Sequence, residues 1–173
     1  MGNYNFEEDL KEGEQGEMII ALYLALCHGL KFKHYNKDNK YDIMMINRKT
    51  EDPVKFEVKS DAYVDYKNDT GNMAIEIRDR GKPSGISTTE ADVFLYYFRN
   101  LQRDNVWMLK TETLKAFIKE NISSLKRVKG GDDNAAEMIL IPRERFRRVF
   151  FVDTINKTDV QIQEEEGQEE HNS

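Results

Sequence analysis

The residue types best suited to chemistry lie in one short stretch of the chain. Runs of β-prone residues at 41–47 and 54–60 flank a polar, proline-containing turn and predict a β-hairpin. Pairing that is symmetrical about the turn sets Asp42 opposite Glu57, and Lys59 shares a face with Glu57 because side chains alternate along a strand. Two carboxylates beside an ammonium group can bind a divalent cation and hold a positive charge near an attacking water. The alternative is a solvated hairpin face with a cross-strand ion pair.

The same symmetrical register makes further predictions about the hairpin. It sets Ile43 opposite Phe56 and Met45 opposite Val54. Phe56 and Val58 then point away from the charged face. The hairpin is therefore expected to present one apolar face to a core and one charged face to a site.

The pattern of an aspartate, fourteen intervening residues and then Glu57-Val58-Lys59 resembles the core motif of the PD-(D/E)XK nuclease superfamily. The resemblance implies a restriction-endonuclease-like α/β core, with a mixed central sheet flanked by helices. It also implies a phosphodiesterase in which Asp42, Glu57 and the carbonyl of Val58, with Glu17, hold Mg²⁺ or Mn²⁺. Lys59 would orient the attacking water or stabilise charge in the transition state.

A helix is predicted before the hairpin. Apolar residues recur at three- and four-residue spacing across 13–29, Gly29 suits a C-terminal cap, and the polar residues 1–12 are expected to be a loose lead-in. The segment GEQGEMIIALYL resembles the start of the helix that carries a metal-directed glutamate in the Holliday-junction-resolvase-like branch of the superfamily. Glu17 fits that position better than Glu14, which stays the alternative. Acidic residues at a helix start also complement the helix dipole.

The segment RDRGKPSGISTTEAD, residues 78–92, combines a tight turn with phosphate-binding chemistry. Ser87 and Glu90 have the spacing of a capping box and predict a helix that begins after the turn. The segment is similar to one found beside the catalytic hairpin in phage-type members of the same group; the alternative is an ordinary basic turn. The side chains expected to contact DNA are Arg78, Arg80, Lys82, Ser84 and Thr88.

The rest of the chain predicts further strands at 72–77, 93–98, 106–109 and 138–141, and an amphipathic helix that starts at Thr111. Glu76 alternates with two isoleucines, and we interpret it as the polar face of its strand, although it could instead join the charged face of the hairpin. Arginines follow Pro142, and they form either a solvated helix face or a duplex contact: Arg143, Arg145, Arg147 and Arg148.

The composition of the 173-residue chain suits one folded domain, assigned to 1–158, followed by an acidic tail at 159–173 that is disordered by composition. The formal net charge is −6, and the six carboxylates of the tail account for all of it, so residues 1–158 are neutral. A neutral body can present a basic groove to phosphates. The apolar run from Met18 is too interrupted to span a bilayer. A single cysteine, Cys27, and no basic leader favour the cytoplasm, that of a bacterial cell or a phage-infected host.

These features predict a Mg²⁺-dependent DNA endonuclease, and the resemblance implies a homodimer acting on branched or junction DNA. Two alternatives stay open. The first is a non-catalytic nucleic-acid-binding or inhibitory protein that retains the nuclease fold. The second is a small interaction domain whose charged faces are only solvated.

Overall fold

The structure is a computed structural model, and it describes residues 6–38, 40–62, 69–99, 103–130, 132–146 and 151–156. The acidic tail at 159–173 lies outside the described residues, as do Arg147 and Arg148. The described part is a mixed α/β structure with two sheets and three helices.

The helices are α1 (Phe6–Cys27), α2 (Thr111–Asn121) and α3 (Arg143–Phe146). Short 3₁₀ turns occupy Gly85–Ser87 and Asp132–Asn134. The strands, in chain order, are β1 (Leu30–Tyr35), β2 (Ile43–Asn47), β3 (Pro53–Ala62), β4 (Asn72–Asp79), β5 (Lys82–Pro83), β6 (Val93–Arg99), β7 (Arg103–Lys110), β8 (Lys126–Gly130), β9 (Ala136–Pro142) and β10 (Phe151–Asn156).

The larger sheet has six strands in the order β1-β2-β3-β6-β7-β10, and the smaller has four in the order β5-β4-β9-β8. In the larger sheet β3 and β6 are parallel, while the other neighbours are antiparallel. The connection between β3 and β6 contains β4, β5 and the 3₁₀ turn at Gly85–Ser87. That connection carries the smaller sheet's first strands over one face of the larger sheet.

Two apolar clusters hold three layers together. Strand β6 supplies both of them, since Phe94 and Tyr96 face the smaller sheet and α2, whereas Leu95 and Tyr97 face α1. The four side chains are at most 3% exposed. This alternation explains why β6 is apolar at nearly every position: it is buried on both faces.

The predicted hairpin is confirmed as β2 and β3, although both strands differ from the predicted bounds by a few residues. Ile43 pairs with Phe56 and Met45 with Val54, as symmetrical pairing about the turn requires. Glu51 in the turn has a positive φ of 63°. The turn therefore fixes the register, and with it the position of every side chain along the hairpin.

Helix α1 begins at Phe6, so the expectation that residues 1–12 are a loose lead-in is wrong for 6–12. This segment contains glutamates, a lysine and a leucine, which are good helix formers, and its carboxylates favour a helix N-terminus. The predicted end is confirmed, because Gly29 takes a left-handed φ of 63° just beyond Cys27. Within the described residues, no helix is both long and apolar enough to cross a membrane.

The predicted capped helix after Ser87 is wrong. Ser87 ends a 3₁₀ turn, its hydroxyl donates to the carbonyl of Ile77 at 2.9 Å, and Glu90 pairs instead with Lys40 at 2.8 Å. Strand β6 starts at Val93, which leaves too little chain for a helix. The polar side chains of this segment therefore serve tertiary contacts that sequence spacing does not reveal.

Arg143, considered above as a solvated or DNA-facing residue, has an internal role. Its guanidinium donates to the carboxylate of Asp69 and lies over the ring of Phe98, 4.7 Å from the ring centre. The side chains of Arg143 and Asp69 are 19% and 26% exposed. This hydrogen bond lowers the pKa of Asp69 below its usual value.

We expect this pair to stabilise the fold in a pH-dependent way. Because the folded-state pKa of Asp69 is depressed, its contribution is complete above the unfolded pKa of about 3.9 and is lost as pH falls through the folded value. Asp69→Asn should therefore lower the free energy of unfolding by about 1–2 kcal/mol at pH 7 and by much less at pH 3. Urea unfolding at both pH values measures the difference.

Asp79→Asn is the matched control, since Asp79 pairs with Arg80 at 3.7 Å with both side chains largely exposed. An exposed pair of this kind contributes little. An Asp69→Asn penalty that is equal at the two pH values would contradict the ionic role of Asp69.

Candidate functional site

The hairpin brings its two carboxylates together where β2 begins. Asp42 precedes β2, its backbone N–H donates to the carbonyl of Phe56 at 2.9 Å, and the register sets it opposite Glu57. One carboxylate oxygen, Oδ2, accepts the backbone N–H of Val58 at 2.7 Å. This hydrogen bond to the main chain of β3 holds the carboxylate of Asp42 in place, and it therefore also sets the position of the other oxygen, Oδ1.

Glu57 is held by a different donor. Its Oε2 lies 2.7 Å from the hydroxyl of Thr89, a residue only 4% exposed. The same hydroxyl lies 3.0 Å from the carbonyl oxygen of Lys40. A hydroxyl has one proton, so Thr89 can donate to only one of these oxygens at a time. If Glu57 is protonated, it can donate to Thr89, which then donates to Lys40.

A cavity of about 470 Å³ lies in front of these carboxylates, between the larger and the smaller sheet. Its charged lining comes from the hairpin and from β4, whereas the loop after β5 supplies small and polar groups. The lining includes Asp42, Glu57, Lys59, Glu76, Ser84 and Thr88. Carboxylates, an ammonium group and hydroxyls therefore converge on one concave surface.

The electrostatics of the cavity follow from burial and charge crowding. Burial raises the pKa of Glu57 to about 7, and the charges of Asp42 and Glu76 add to the rise. Burial also raises the pKa of Asp42, against the opposing effects of the Val58 hydrogen bond and the Lys59 charge. Because each carboxylate disfavours ionisation of the next, a positive charge in the cavity would be stabilised.

Glu17 lies near this cavity but is not part of its lining. Helix α1 approaches β3 closely at Gly16, where a Cβ would lie 2.0 Å from the hydroxyl oxygen of Ser60. This contact fixes the next residue, Glu17, beside the hairpin. Burial raises the pKa of Glu17 to about 7, and the charges of Asp42, Glu14 and Glu57 add to the rise. Glu14 itself is exposed.

The five side chains expected to contact DNA lie at different distances from the cavity. Ser84 and Thr88 belong to its lining, and Lys82 is exposed next to Pro83, another lining residue. Arg78 and Arg80 are exposed at the end of β4 and in the turn beyond it. The structure thus brings two of the five to the cavity and places the other three on the surface around the β4–β5 turn.

The oxygen-rich lining fits Mg²⁺, a cation that proteins commonly bind through one or two carboxylates while it keeps several waters. The hydrogen bonds to Val58 and Thr89 each use one oxygen of a carboxylate, so the second oxygen of Asp42 and of Glu57 can serve as a ligand. Across the described ranges, no three histidine, cysteine, aspartate or glutamate side chains converge into a ready metal site. The fit is therefore to a two-carboxylate site.

Sequence reasoning missed the role of Thr89 and did not favour the correct alternative for Glu76. Thr89 is not among the predicted site residues, yet its hydroxyl donates to the carboxylate of Glu57 at 2.7 Å. For Glu76 the favoured interpretation is the polar face of its strand, but the structure agrees with the alternative, because Glu76 belongs to the cavity lining beside the hairpin carboxylates and adjoins a register shift between Glu76 and Arg78. The one available signal for Glu76 was a lone carboxylate within an otherwise apolar strand.

Comparison of the chain with protein-family models, with curated proteins and with solved structures finds no match in any of the three.

Proposed function

We propose that this protein is a metal-dependent DNA endonuclease with a restriction-endonuclease-like core built around the β2–β3 hairpin. The observation that carries the proposal is the pair of half-buried, opposed carboxylates, Asp42 and Glu57, each held by a fixed donor beside Lys59. Helix α1 before the hairpin and the parallel pairing of β3 with β6 agree with that core.

Asp42, Glu57 and the carbonyl of Val58 would hold one Mg²⁺ or Mn²⁺, with Glu17 close enough to add negative charge. When bound, the cation would polarise the scissile phosphate and lower the pKa of water. The protein's part is to keep the two carboxylates fixed and partly shielded from solvent. The hydrogen bonds from Val58 and Thr89 perform this task.

Lys59 would stabilise the negative charge that develops on the phosphate and would orient the attacking water. It extends from β3 on the same face as Glu57, into the cavity lining. A protonated lysine has no lone pair to offer a metal, so its role is separate from metal binding. Hydrolysis by water requires no covalent protein intermediate.

The substrate side of the proposal rests on the groups around the cavity. Lys82, Ser84 and Thr88, with Arg78 and Arg80 at the β4–β5 turn, would contact the DNA backbone and position it. The formal charge of residues 1–158 is zero. A net negative charge of this part of the chain therefore does not oppose the attraction between these cations and the phosphates. Branched or junction DNA is the proposed substrate and a homodimer the proposed assembly, since paired active sites can cut both strands.

The test is incubation of the protein with labelled junction, flap, single-stranded and duplex DNA, with Mg²⁺, with Mn²⁺ and with EDTA. We expect cleavage that depends on the cation. In the same assay Lys59→Met should lose turnover, by about 10²-fold or more if its charge stabilises the transition state, while Mg²⁺ binding measured by calorimetry stays close to that of the unmodified protein.

Lys110→Met is the control for the lost charge, because Lys110 is exposed at the end of β7. It should cleave as the unmodified protein does. If Lys59→Met loses Mg²⁺ affinity to the extent that Asp42→Asn does, the assigned role of Lys59 is wrong. Cleavage that persists in EDTA would rule out the metal-dependent mechanism.

A second candidate is a non-catalytic nucleic-acid-binding or inhibitory protein with the same fold. The observation that favours it is the set of exposed cations around the β4–β5 turn, Arg78, Arg80 and Lys82, which can bind phosphates without a metal. This candidate predicts DNA binding that does not change with Mg²⁺ and no cleavage of any DNA in the panel.

A further inference from the structure

We propose that the outer edge of β1 is a binding track for single-stranded nucleic acid that leads to the cavity, with bases stacking on Phe32 and Tyr35. The proposal rests on the proposed nuclease function and deepens it, because it specifies a substrate with unpaired nucleotides beside the cleavage site. Its basis is a pair of exposed aromatic rings, a basic groove and the path of β1.

The aromatic pair exists because β1 is irregular. Phe32 lies opposite Met45 and Tyr35 opposite Ile43, with a register shift between Phe32 and His34. Residues three apart in a regular strand face opposite sides, but the extra residue in β1 puts both rings on the side of Met45 and Ile43. The ring centres are 4.8 Å apart.

Both side chains are open to solvent although they lie on a sheet. Phe32 is 40% exposed and Tyr35 is 41% exposed. The planes of the two rings are inclined by 54°, so each ring offers its own face on which a base can stack, a mode that accepts any base sequence. The burial pattern of β1, buried only at Leu30, leaves the rest of the strand accessible.

A basic groove of about 330 Å³ adjoins Phe32 at the start of β1. Lys31, Lys33 and Arg48 belong to its lining, together with Ile46 and a single carboxylate, Glu51. The side chain of Arg48 is anchored, since its Nε donates to the carbonyl of Leu30 at 3.1 Å. Three cations against one carboxylate suit the phosphates of a nucleic-acid strand.

The other end of β1 reaches the candidate active site. Tyr35 pairs with Ile43, the residue after Asp42, and the backbone N–H of Asn36 donates to the carbonyl of Asp42 at 2.8 Å. Burial raises the pKa of Tyr35, and the nearby charge of Glu17 adds to the rise. The basic groove and the aromatic pair therefore follow one another along β1. The two rings lie on the α1 side of the larger sheet and the carboxylates of the cavity on the other side, so a strand that stacks on Tyr35 would pass around the β1 edge beside Asp42 to reach the cavity.

Strand addition by a second copy of the chain is the competing use of an edge strand. Lysines on the edge and a bulge are the features by which proteins prevent such pairing, and β1 has both. Prevention of strand pairing explains the lysines, but it does not explain the two exposed aromatic rings. Base stacking accounts for the lysines and the rings together.

The experiment measures binding of labelled oligothymidine and of a blunt duplex of equal length, by fluorescence anisotropy in EDTA. Phe32→Ala and Tyr35→Ala should each weaken oligothymidine binding at least about five-fold and affect the duplex much less. Tyr35→Phe, which keeps the ring, should bind as the unmodified protein does. Phe151→Ala is the matched control, since Phe151 is 55% exposed on β10, the opposite edge strand.

Several outcomes overturn the proposal: no binding of oligothymidine, alanine variants that bind it normally, or equal losses for duplex and single strand. A dimer fraction that falls in the alanine variants, without a change in DNA affinity, would instead assign this edge to a second copy. Binding in EDTA is independent of cleavage. Ring-dependent binding without Mg²⁺-dependent cleavage would leave the track standing and the nuclease proposal refuted, and the converse result would refute the track alone.

Discussion

Glu57→Gln and Asp42→Asn are each expected to reduce Mg²⁺-dependent DNA cleavage by about 10²-fold or more, because loss of a ligand should cost at least as much as loss of an outer-shell partner. Both changes remove a negative charge with almost no change in shape. An amide oxygen can still accept the hydrogen bond from Thr89 in the first variant and from the N–H of Val58 in the second. The loss therefore reports on the charge of the cavity rather than on its architecture.

The stability of Glu57→Gln gives a second readout of the same charge. The folded-state pKa of Glu57 is raised to about 7, above its usual value, so its ionisation destabilises the fold as pH rises through the interval between the unfolded and folded values. In EDTA at pH 8 the neutral variant should then melt at a higher temperature than the unmodified protein. At pH 4, where both carry a neutral side chain, the difference should disappear.

Glu112→Gln is the control for both measurements, because the Glu112 side chain is 80% exposed on α2. It should leave cleavage and melting temperature unchanged. Cleavage at the normal rate by either cavity variant would refute the assignment of its carboxylate. If Glu57→Gln unfolds more easily than the unmodified protein at pH 8, then ionisation of Glu57 does not destabilise the fold, and the predicted effect of the crowded carboxylates is wrong.

The sequence predicted the hairpin well because the information that sets it is local. A short polar turn fixes the register of its two strands, so Asp42 and Glu57 could be placed opposite one another before any tertiary contact was known. The strand β6 was also predicted from a local feature, because its run of apolar residues is typical of a buried strand. Periodicity also located α1, apart from its first turns.

The rest of the site depends on contacts between distant parts of the chain. The partners of the Thr89 hydroxyl, Glu57 and Lys40, are 32 and 49 residues away, whereas the local spacing of Ser87 and Glu90 around it suggested a helix cap. The smaller sheet, which forms the opposite wall of the cavity, pairs β4 with β9, and the paired residues are 57 to 70 positions apart in the chain. Local sequence patterns do not predict pairings between distant strands. The carboxylates of the cavity could therefore be predicted, but the cavity itself could not.

Gly85→Ala is expected to lower the free energy of unfolding by about 2 kcal/mol or more, and so to lower the melting temperature by about 4–8 °C. Gly85 has a φ of +53°, a conformation that costs about 1–2 kcal/mol for a residue with a Cβ. An added Cβ would also lie 2.6 Å from the carbonyl oxygen of Glu76, a backbone atom that cannot rotate away. Strain and collision therefore act together at this position.

Gly81→Ala separates these two effects. Gly81 lies in the same connection with a φ of +79°, but nothing lies within 4 Å of the Cβ position. Gly81→Ala should therefore lower the free energy of unfolding only by the cost of the positive φ, about 1–2 kcal/mol. The additional loss in Gly85→Ala then measures how tightly the loop after β5 is held against β4, and so how firmly Ser84 and Thr88 are positioned in the cavity wall. Thermal unfolding of the two variants in parallel decides the matter: equal losses would mean that the loop yields to the added methyl group and that the cavity wall is not rigid there.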